Sequence, residues 1–582
     1  MCTCRRRPPP RRRCHARTLL LLSPTTTPTS RPPSRYTVDV EVPSKLARKL
    51  GTRLKPKQGS IDRPPSLKKA DKRAAPTVLP APLSVVVVGA GPAGLFAALE
   101  LVRSGAAVTI VERGQPVEKR GKDIGQLMNR RKILDGDSNF CYGEGGAGTW
   151  SDGKLTTRVG GSRAADVRSV LETMVDNGAP DRILVDSKPH LGTDRLISIL
   201  KSLRQQLMEA GATFAFGRRV LSLEMKDGRA VGVNLAPEGV GQSNFETIPA
   251  DSVVMAPGHS ARELIESLAD SGVPLLPKTF AVGLRVEHPQ ELINEIQCVG
   301  AAAARDLLRC CYATRSCCRC RTPLDPLPRY KKFADNVAPK GKLPVADYTC
   351  KTEVPDESMN GDSERGKRPV YSFCMCPGGQ VVPTSVRADE LCVNGMSFSR
   401  RNSKWANSAL VAYVSEAELA PFAAEGALAG VAFQRQCEQR AAVLGGGDLV
   451  APVQRVTDYL AGVDLPEGAT LPSSSYRLGV KAARLDEGLF PDKVTEAIKA
   501  ALLTFDKQMP GFITDQALLH GVETRTSSPV QIKRNRDTLE CDEVKGLFPT
   551  GEGAGQAGGI VSAAVDGMRV GRAAALAAVP RI

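Results

Sequence analysis

The sequence predicts an α/β fold, in which a parallel sheet covered by helices is interrupted by an inserted α+β domain. Two segments, 85–112 and 546–578, carry this prediction, because each contains a buried strand followed by a glycine-rich turn and a helix. The long region between them holds further strands and helices. A sheet that begins near residue 81 and is completed near the C-terminus brackets that region as an insertion.

The segment 85–113, VVVVGAGPAGLFAALELVRSGAAVTIVER, has a strand, a GxGxxG turn, a helix and a second strand, and Glu112 follows Gly89 by 23 positions. Gly89 permits the tight turn, Gly91 lets a pyrophosphate approach the backbone, and Gly94 lets helix and strand pack closely. The helix N-terminus suits a phosphate. Because Glu112 suits a ribose diol that FAD and NAD share, this segment predicts a dinucleotide site without choosing between them.

Other glycine-rich turns show how weak the bare pattern is. GEGGAG at 143–148 and GAGQAG at 553–558 also match GxGxxG, but neither has a strand before it and an acidic residue after it. The loop at 143–155 nevertheless predicts a nest of backbone N–H groups for phosphate or flavin carbonyls. It also offers Ser151, Asp152 and Lys154; the alternative is a flexible turn.

The segment GLFPTGEGAGQAGG (546–559) favours FAD. It places Glu552 just past a strand, where FAD proteins bind the ribityl chain, although Asp is commoner there. The helix that follows would direct its positive end at the flavin and stabilise the anionic reduced form; ordinary helix capping is the alternative. The predicted FAD-binding residues are Gly89, Ala90, Gly91, Pro92, Ala93, Gly94, Glu112, Arg113, Gly145, Gly146, Gly148, Val220, Gly258, Gly551, Glu552, Gly558, Gly559 and Ile560.

Local patterns also predict individual elements. A helix is expected from about Thr193 to Ala210, followed by one strand around 213–223. A buried strand in 251–258 ends in Pro-Gly, and another strand is expected at 279–288.

Four residues are candidates for catalysis: His190, His259, Lys154 and Cys376. Either histidine could transfer a proton near a flavin, although a structural histidine is the commoner case. Cys374 and Cys376 form CxC rather than the CxxC of a redox-active dithiol. Buried, inert thiols are the alternative to a thiol beside the flavin.

The domain prediction follows from this order. Residues 1–35 form a leader, and 36–80 form a small element with a linker. The FAD-binding domain takes 81–289 and 506–582, and the inserted substrate domain takes 290–505. Within the insertion, 300–342 has no coherent periodicity and contains five cysteines. We expect an unstructured insertion or translated intron there rather than a zinc site, and no metal elsewhere.

The charge of +17 belongs to the N-terminus. Residues 1–73 hold 20 Arg and Lys against four acids, so the rest of the chain is near +1. The body therefore gives no electrostatic reason to expect nucleic acid. No apolar stretch is long enough to predict a membrane span.

Residues 1–35 contain nine Arg and no Asp or Glu, with many Ser, Thr and Pro. This composition is typical of an organellar transit peptide. It favours the chloroplast or another plastid, with the mitochondrion as the alternative. A basic tail without an address, or a wrongly assigned start, would have the same composition.

Several motifs together resemble one family. GEGGAGTWSDGKL, KPHLGTDRL, VGLRVEHP, YSFCMCPGGQVVP, NGMSFSRRNSKWANSALV, LAGVAFQRQCEQRA and FPTGEGAGQAGGIVSAAVDG occur in that order. From about residue 36 onward, without 300–342, the chain resembles the uncharacterised FAD-dependent dehydrogenases, described as NAD(FAD)-utilizing flavoproteins, of bacteria and plastid-bearing eukaryotes. More remotely it resembles the glutathione-reductase and fumarate-reductase type. The resemblance implies a Rossmann-like FAD-binding domain, without naming a substrate.

The leading hypothesis is an FAD-dependent oxidoreductase that passes hydride through flavin N5. Its partner would be a small-molecule substrate, with NAD(P)H as a candidate reductant; the sequence indicates no oligomeric state. The alternatives are a non-redox or RNA-modifying use of FAD, and FAD as a structural cofactor.

Overall fold

The computed structural model describes residues 83–129, 132–236, 245–297, 344–359 and 366–577. The leader 1–35, the region 36–80 and the segment 300–342 with its five cysteines lie outside the described residues. The predictions made for them stay predictions.

The first sheet has five parallel strands. Their spatial order is Leu547–Pro549, Ser252–Met255, Ser84–Val88, Ala107–Glu112 and Thr213–Phe216. The valines 85–88 are at most 4% exposed, as expected of a strand covered on both faces. The C-terminal segment thus completes the sheet that Ser84–Val88 opens, and the predicted α/β fold class is confirmed.

Two helices follow strands of this sheet and pack against each other at close range. They are Pro92–Arg103 and Ile560–Ala577. A Cβ added at Gly567 would lie 2.0 Å from the Ala93 carbonyl oxygen, and one added at Gly571 would lie 2.5 Å from that of Ala97. Gly567 lies against Ala93, and Gly571, four residues later, lies against Ala97, which is also four residues later. The helices therefore run parallel, and both N-termini lie at the carboxyl edge of the sheet.

The second sheet has eight strands. Seven lie in the order Lys351–Pro355, Lys367–Pro383, Trp405–Tyr413, Ala281–Pro289, Leu518–Glu523, Ala451–Arg455 and Val480–Ala482, and Val393–Met396 pairs with Lys367–Pro383. All pairs are antiparallel except the one between Ala451–Arg455 and Val480–Ala482.

Two strands of the second sheet lie on the far side of the predicted domain boundaries. Ala281–Pro289 falls within 81–289, and Leu518–Glu523 falls within 506–582, yet the two pair with each other in the second sheet. The chain therefore leaves the first sheet before Ala281 and returns to it after Glu523. Pairing between residues so distant in the chain is not encoded in any local pattern.

The remaining elements flank the two sheets. A three-stranded sheet consists of Val220–Lys226, Arg229–Leu235 and Glu246–Pro249, and Val530–Ile532 pairs with Leu275–Pro277. The other α-helices described are Val117–Met128, Ala164–Asp176, Thr193–Glu209, Arg262–Asp270, Glu416–Leu419, Ala429–Gly445, Val456–Ala461 and Asp492–Gln508. None of the helices in the described part of the chain has the length and hydrophobicity needed to cross a bilayer.

The local predictions agree with these elements except in one place. The helix Thr193–Glu209 lies where it was expected. The single strand expected around 213–223 is instead two strands, Thr213–Phe216 and Val220–Lys226. Gly217 lies between them with a φ of +71° and turns the chain into a different sheet.

Candidate functional site

The glycine turn after Ser84–Val88 has two packed positions and one open position. A Cβ added at Gly89 would lie 2.2 Å from the Ala256 carbonyl oxygen, and one added at Gly94 would lie 1.9 Å from that of Gly89. A Cβ at Gly91 would meet only Gly146 Cα, at 4.0 Å. The backbone is therefore accessible at Gly91, where the pyrophosphate of a dinucleotide approaches.

Glu112 is fixed beside this turn by backbone donors. The carboxylate is buried, and its Oε2 accepts the N–H of Ala90 at 2.8 Å. Its Oε1 accepts the N–H groups of Gly114 at 3.0 Å and Gly143 at 2.9 Å. A carboxylate oxygen has two lone pairs, so Oε2 keeps capacity for a ribose hydroxyl.

The glycine-rich loop at 143–148 braces the turn. The Gly145 N–H donates to the Ala90 carbonyl oxygen at 2.8 Å, and the Gly146 N–H donates to that of Gly143 at 2.9 Å. Together with the Gly143 N–H on Glu112, these donors are already used inside the protein. The predicted nest consequently has fewer open N–H groups than its glycines suggest.

Arg120, on the helix Val117–Met128, holds that loop from behind. The side chain is fully buried, and its guanidinium donates to five backbone carbonyl oxygens: those of Asn139, Phe140, Gly143, Glu144 and Gly146. Burial lowers the pKa of Arg120 to about 10, so it stays charged at neutral pH. The loop thus takes its shape from one side chain about 20 residues upstream.

Glu552 follows the strand Leu547–Pro549 and lines the space that Gly91 faces. Burial raises the pKa of Glu552 to about 7, and the positive charge of Lys278 opposes the rise. Asp566 fixes the turn before it by accepting the Gly551 N–H at 3.0 Å. A carboxyl group with this pKa exchanges its proton near neutral pH.

The helix Ile560–Ala577 begins directly after Gly558 and Gly559, with Ile560 close to Gly148. The first N–H groups of a helix have no partner within it, and its dipole is positive at that end. This end of the helix lies on the same cavity as Glu552, where it suits an electron-rich group.

These parts line one cavity of about 1990 Å³, larger than the roughly 300–1,000 Å³ of an ordinary small-ligand pocket. Most predicted FAD-binding residues line it: Gly89, Gly91, Pro92, Ala93, Glu112, Arg113, Gly146, Gly148, Val220, Gly258, Gly551, Glu552, Gly558, Gly559 and Ile560. Ala90, Gly94 and Gly145 do not, and they shape the turn from behind. An open glycine backbone, a buried carboxylate with capacity for a ribose hydroxyl and two helix N-termini lie on this cavity, and this combination fits FAD.

Lys154 lies at the junction of the two sheets. Its Nζ donates to the Met375 carbonyl oxygen and lies 2.8 Å from the Asp152 carboxylate, which the Arg401 guanidinium also binds. Burial lowers the pKa of Lys154, but the electrostatic effects of Cys376 and of the Asp152 carboxylate outweigh it, and the pKa is raised. The Lys154–Asp152–Arg401 cluster therefore carries a net positive charge on the cavity wall.

Cys374 and Cys376 differ from each other in exposure. Cys376 is 1% exposed, whereas Cys374 is exposed, and both line the cavity. Side chains two positions apart in a regular strand share a face, but Cys374 has a φ of +43° and the strand register shifts between Phe373 and Cys376, so the two thiols differ in exposure. Burial raises the pKa of the Cys376 thiol, and the loss of hydration inside the cavity raises the pKa of the cavity-lining Cys374 thiol to about 12, so neither is a thiolate at neutral pH. The catalytic role of Cys376 stays a prediction.

Both candidate histidines are neutral at pH 7. Burial, reinforced by Arg401, lowers the pKa of His190 to about 4. Burial, reinforced by Arg525, does the same for His259. His259 lines the cavity, whereas His190 does not; its backbone pairs with that of Lys154 in an isolated bridge. Neither supplies a positive charge to the site, and their roles stay predictions.

Three residues of the site were not found by sequence reasoning. Arg120, Lys278 and Arg401 act through partners that are distant in the chain, and no motif contains them together with those partners. Arg401, the second of the two arginines in NGMSFSRRNSKW, lies in a motif of the resemblance, and this was the one available signal.

Comparisons with known proteins agree with this geometry. Residues 83–288 match the pyridine nucleotide-disulphide oxidoreductase family, and residues 328–526 match the family described as FAD-dependent protein, C-terminal domain-like. An uncharacterized protein of Clostridium beijerinckii is 40% identical over 486 residues, which are 83% of this chain and 79% of that protein.

More distant similarities cover less or carry less identity. Protein FixC of Escherichia coli is 26% identical over 219 residues, 36% of this chain and 44% of FixC. A solved structure, the geranylgeranyl bacteriochlorophyll reductase-like protein of Thermoplasma acidophilum, aligns over 85% of this chain and 78% of its own, with 12% identity and a TM-score of 0.34.

Fold, cavity and family matches together define a flavoprotein of the FAD-dependent oxidoreductase class, with FAD as its cofactor. The chain belongs to the same family as the uncharacterized Clostridium beijerinckii protein, and its own two family matches are to FAD-dependent and pyridine nucleotide-disulphide oxidoreductase families.

Proposed function

We propose that the chain is an FAD-dependent dehydrogenase or reductase of a small organic substrate, with NAD(P)H as the candidate reductant. One observation carries the proposal: the cavity continues from the FAD-binding turn to the Lys154–Asp152–Arg401 cluster and on to strands of the second sheet. A substrate held there can lie against the flavin.

The bound FAD would supply hydride acceptance and donation at N5. The residues of the chain bind and orient. Gly91 and the adjoining helix N-terminus receive the pyrophosphate, and Glu112 receives the ribose. Lys154 places a positive charge where an anionic group of the substrate can bind. Because both histidines are neutral, Glu552, with its pKa of about 7, is the better candidate to hold or release a proton.

Anaerobic titration of the purified full-length protein tests this proposal. We expect NADH or NADPH to bleach the visible flavin absorbance and an added acceptor to restore it. A flavin that neither nucleotide nor dithionite reduces would contradict the proposal and favour structural FAD. Turnover of a substrate without any change in flavin redox state would instead favour a non-redox use, including RNA modification.

We also propose that residues 1–35 direct the protein to the plastid, on the composition of that segment alone. Expression of the full chain fused at its C-terminus to a fluorescent protein in plant cells tests this address. Fluorescence in mitochondria would support the alternative, and fluorescence in neither organelle would contradict both.

A further inference from the structure

The cavity has an outer arm beyond the FAD-binding residues. We define this arm by the cavity-lining residues of the loop 156–163, of the segment 347–350 and of the strands Lys351–Pro355 and Lys367–Pro383, together with Lys188 and Tyr413. The FAD motifs do not explain the composition of this arm. Its side chains therefore indicate the chemistry of a second ligand.

One wall of the arm is aromatic. The ring centroids of Tyr371 and Phe373 are 6.4 Å apart with planes at 80°, and those of Tyr371 and Tyr413 are 6.0 Å apart with planes at 85°. The three rings are only partly buried, and all line the cavity. Such edge-to-face rings leave faces and edges available for another flat ring.

The same arm is rich in positive charge. Among the described residues that line it, the basic side chains are Arg158, Arg163, Lys188, Lys351 and Lys367, and the acidic ones are Asp347 and Glu353. Asp347 is already paired with Lys188 at 3.2 Å. Within the described residues Arg158 and Lys351 form no ion pair, and both are exposed.

The charges and the rings lie together. Lys351 is directly opposite Tyr371 in the register of the two strands. Burial and the neighbouring Tyr413 raise the pKa of Tyr371, and the positive charge of Arg158, which lies nearby, opposes the rise. The positively charged cluster around Lys154 lies further in on the same cavity. A ligand in the arm therefore meets rings and cations at once.

We propose that the substrate bound in this arm is an organic anion with a planar ring, held by Arg158 and Lys351 through its negative group and by Tyr371, Phe373 and Tyr413 through its ring. The inference rests on the proposed function, since it names the substrate class of the same site. Free aromatic acids and nicotinamide nucleotides share this chemistry, and the experiment distinguishes them.

The test measures equilibrium binding to the oxidised FAD-loaded protein, without turnover. The probes are 2-naphthoate, its neutral analogue 2-naphthamide, octanoate as an anion without a ring, and NADPH. Binding is followed by calorimetry and by perturbation of the flavin spectrum. We expect 2-naphthoate or NADPH to bind more tightly than the neutral and ringless probes, and to bind more weakly as salt rises.

Substitutions of residues in the arm test whether the probes bind there. We expect the double variant Arg158→Gln/Lys351→Gln to weaken binding of the favoured anion about tenfold and to leave 2-naphthamide unchanged. Tyr371→Leu should weaken the anion and 2-naphthamide alike, by about three- to tenfold. Lys226→Gln, which removes an exposed cation away from the cavity, should change neither.

All variants should retain FAD and its dithionite reduction, which separates this inference from the proposed function. Loss of FAD from the double variant would overturn the inference, because the arm would then belong to the cofactor site. The inference would also be overturned if neither 2-naphthoate nor NADPH bound more tightly than 2-naphthamide and octanoate. A flavin that cannot be reduced, with anion binding intact, would contradict the proposed function alone.

Discussion

At the scale of single residues, Gly91 is a position where a substitution should weaken cofactor binding without disturbing the fold. Its backbone has a φ of −77° and a ψ of 179°, which a β-branched residue adopts readily, and an added Cβ meets no close neighbour. Gly89 and Gly94 differ, because a Cβ at either would collide with backbone. Gly91 is therefore the position at which a side chain should exclude the pyrophosphate and leave the fold intact.

We predict that Gly91→Val lowers FAD affinity at least about tenfold, equivalent to about 1.4 kcal/mol, while the free energy of unfolding of the apoprotein changes by less than about 1 kcal/mol. The ratio of flavin to protein absorbance and denaturant titration measure the two effects. Gly125→Val is the matched control, since Gly125 is exposed and an added Cβ has nothing within 4 Å. Full FAD occupancy in Gly91→Val would contradict the assignment.

The residues that sequence reasoning found and those it missed differ in where their partners lie. Gly89, Gly91, Gly94 and Glu112 lie within one βαβ unit, so spacing alone predicts their roles. The exposure of Cys374 could not be predicted, because it depends on a strand irregularity opposite Trp405–Tyr413. Each feature that sequence reasoning missed depends on residues that are close in space, and no local sequence pattern links those residues.

At the scale of elements, the helix Val117–Met128 shapes a loop through one side chain. Arg120 gives the loop 139–146 its hydrogen-bond donors, and that loop in turn donates to Ala90 and Glu112. Local patterns predict the loop and the helix separately. The connection between them comes from the burial of a guanidinium whose planar fork reaches several carbonyl oxygens at once.

We predict that Arg120→Gln lowers the free energy of unfolding by about 2–4 kcal/mol, because buried carbonyl oxygens lose their donors. FAD affinity should fall at least about tenfold. Arg120→Lys keeps the charge but offers fewer donors in a different geometry, so its losses should be intermediate. Lys119→Gln, one position away and exposed, is the control. Losses no larger than those of the control, measured by denaturant titration and flavin fluorescence, would contradict this role.

At the scale of the whole molecule, a buried charge cluster joins the two sheets. Glu438 on the helix Ala429–Gly445 binds Arg262, which begins the helix that follows Ser252–Met255 of the first sheet along the chain, at 2.8 and 2.9 Å. It also binds Arg525, just past Leu518–Glu523 of the second sheet, at 2.7 and 3.0 Å. All three side chains are at most 6% exposed. Because the cavity lies between the sheets, this cluster helps to fix the walls against each other.

The electrostatics of Glu438 give this cluster a specific pH dependence. Burial opposes ionisation of Glu438, but the two guanidinium groups outweigh it and hold the pKa well below its usual value of 4.5. The unfolded chain therefore binds the proton more readily than the folded chain. The stabilisation is complete above about pH 4.5 and is lost as the pH falls through the lower folded pKa.

We predict that Glu438→Gln lowers the free energy of unfolding by about 3–5 kcal/mol at pH 7, because the two buried guanidinium groups lose their hydrogen-bonded carboxylate and keep only Glu390, at 3.3 and 3.6 Å. The deficit relative to the unsubstituted protein should shrink as the pH is lowered from 5 towards 3, where Glu438 itself becomes protonated on unfolding. Urea titrations at a series of pH values measure it. Lys493→Gln breaks an ion pair whose side chains are 62% and 64% exposed, so it should cost less than about 1 kcal/mol. A Glu438→Gln deficit that stays constant with pH, or that equals the Lys493→Gln value, would show that the charge of Glu438 does not stabilise the junction.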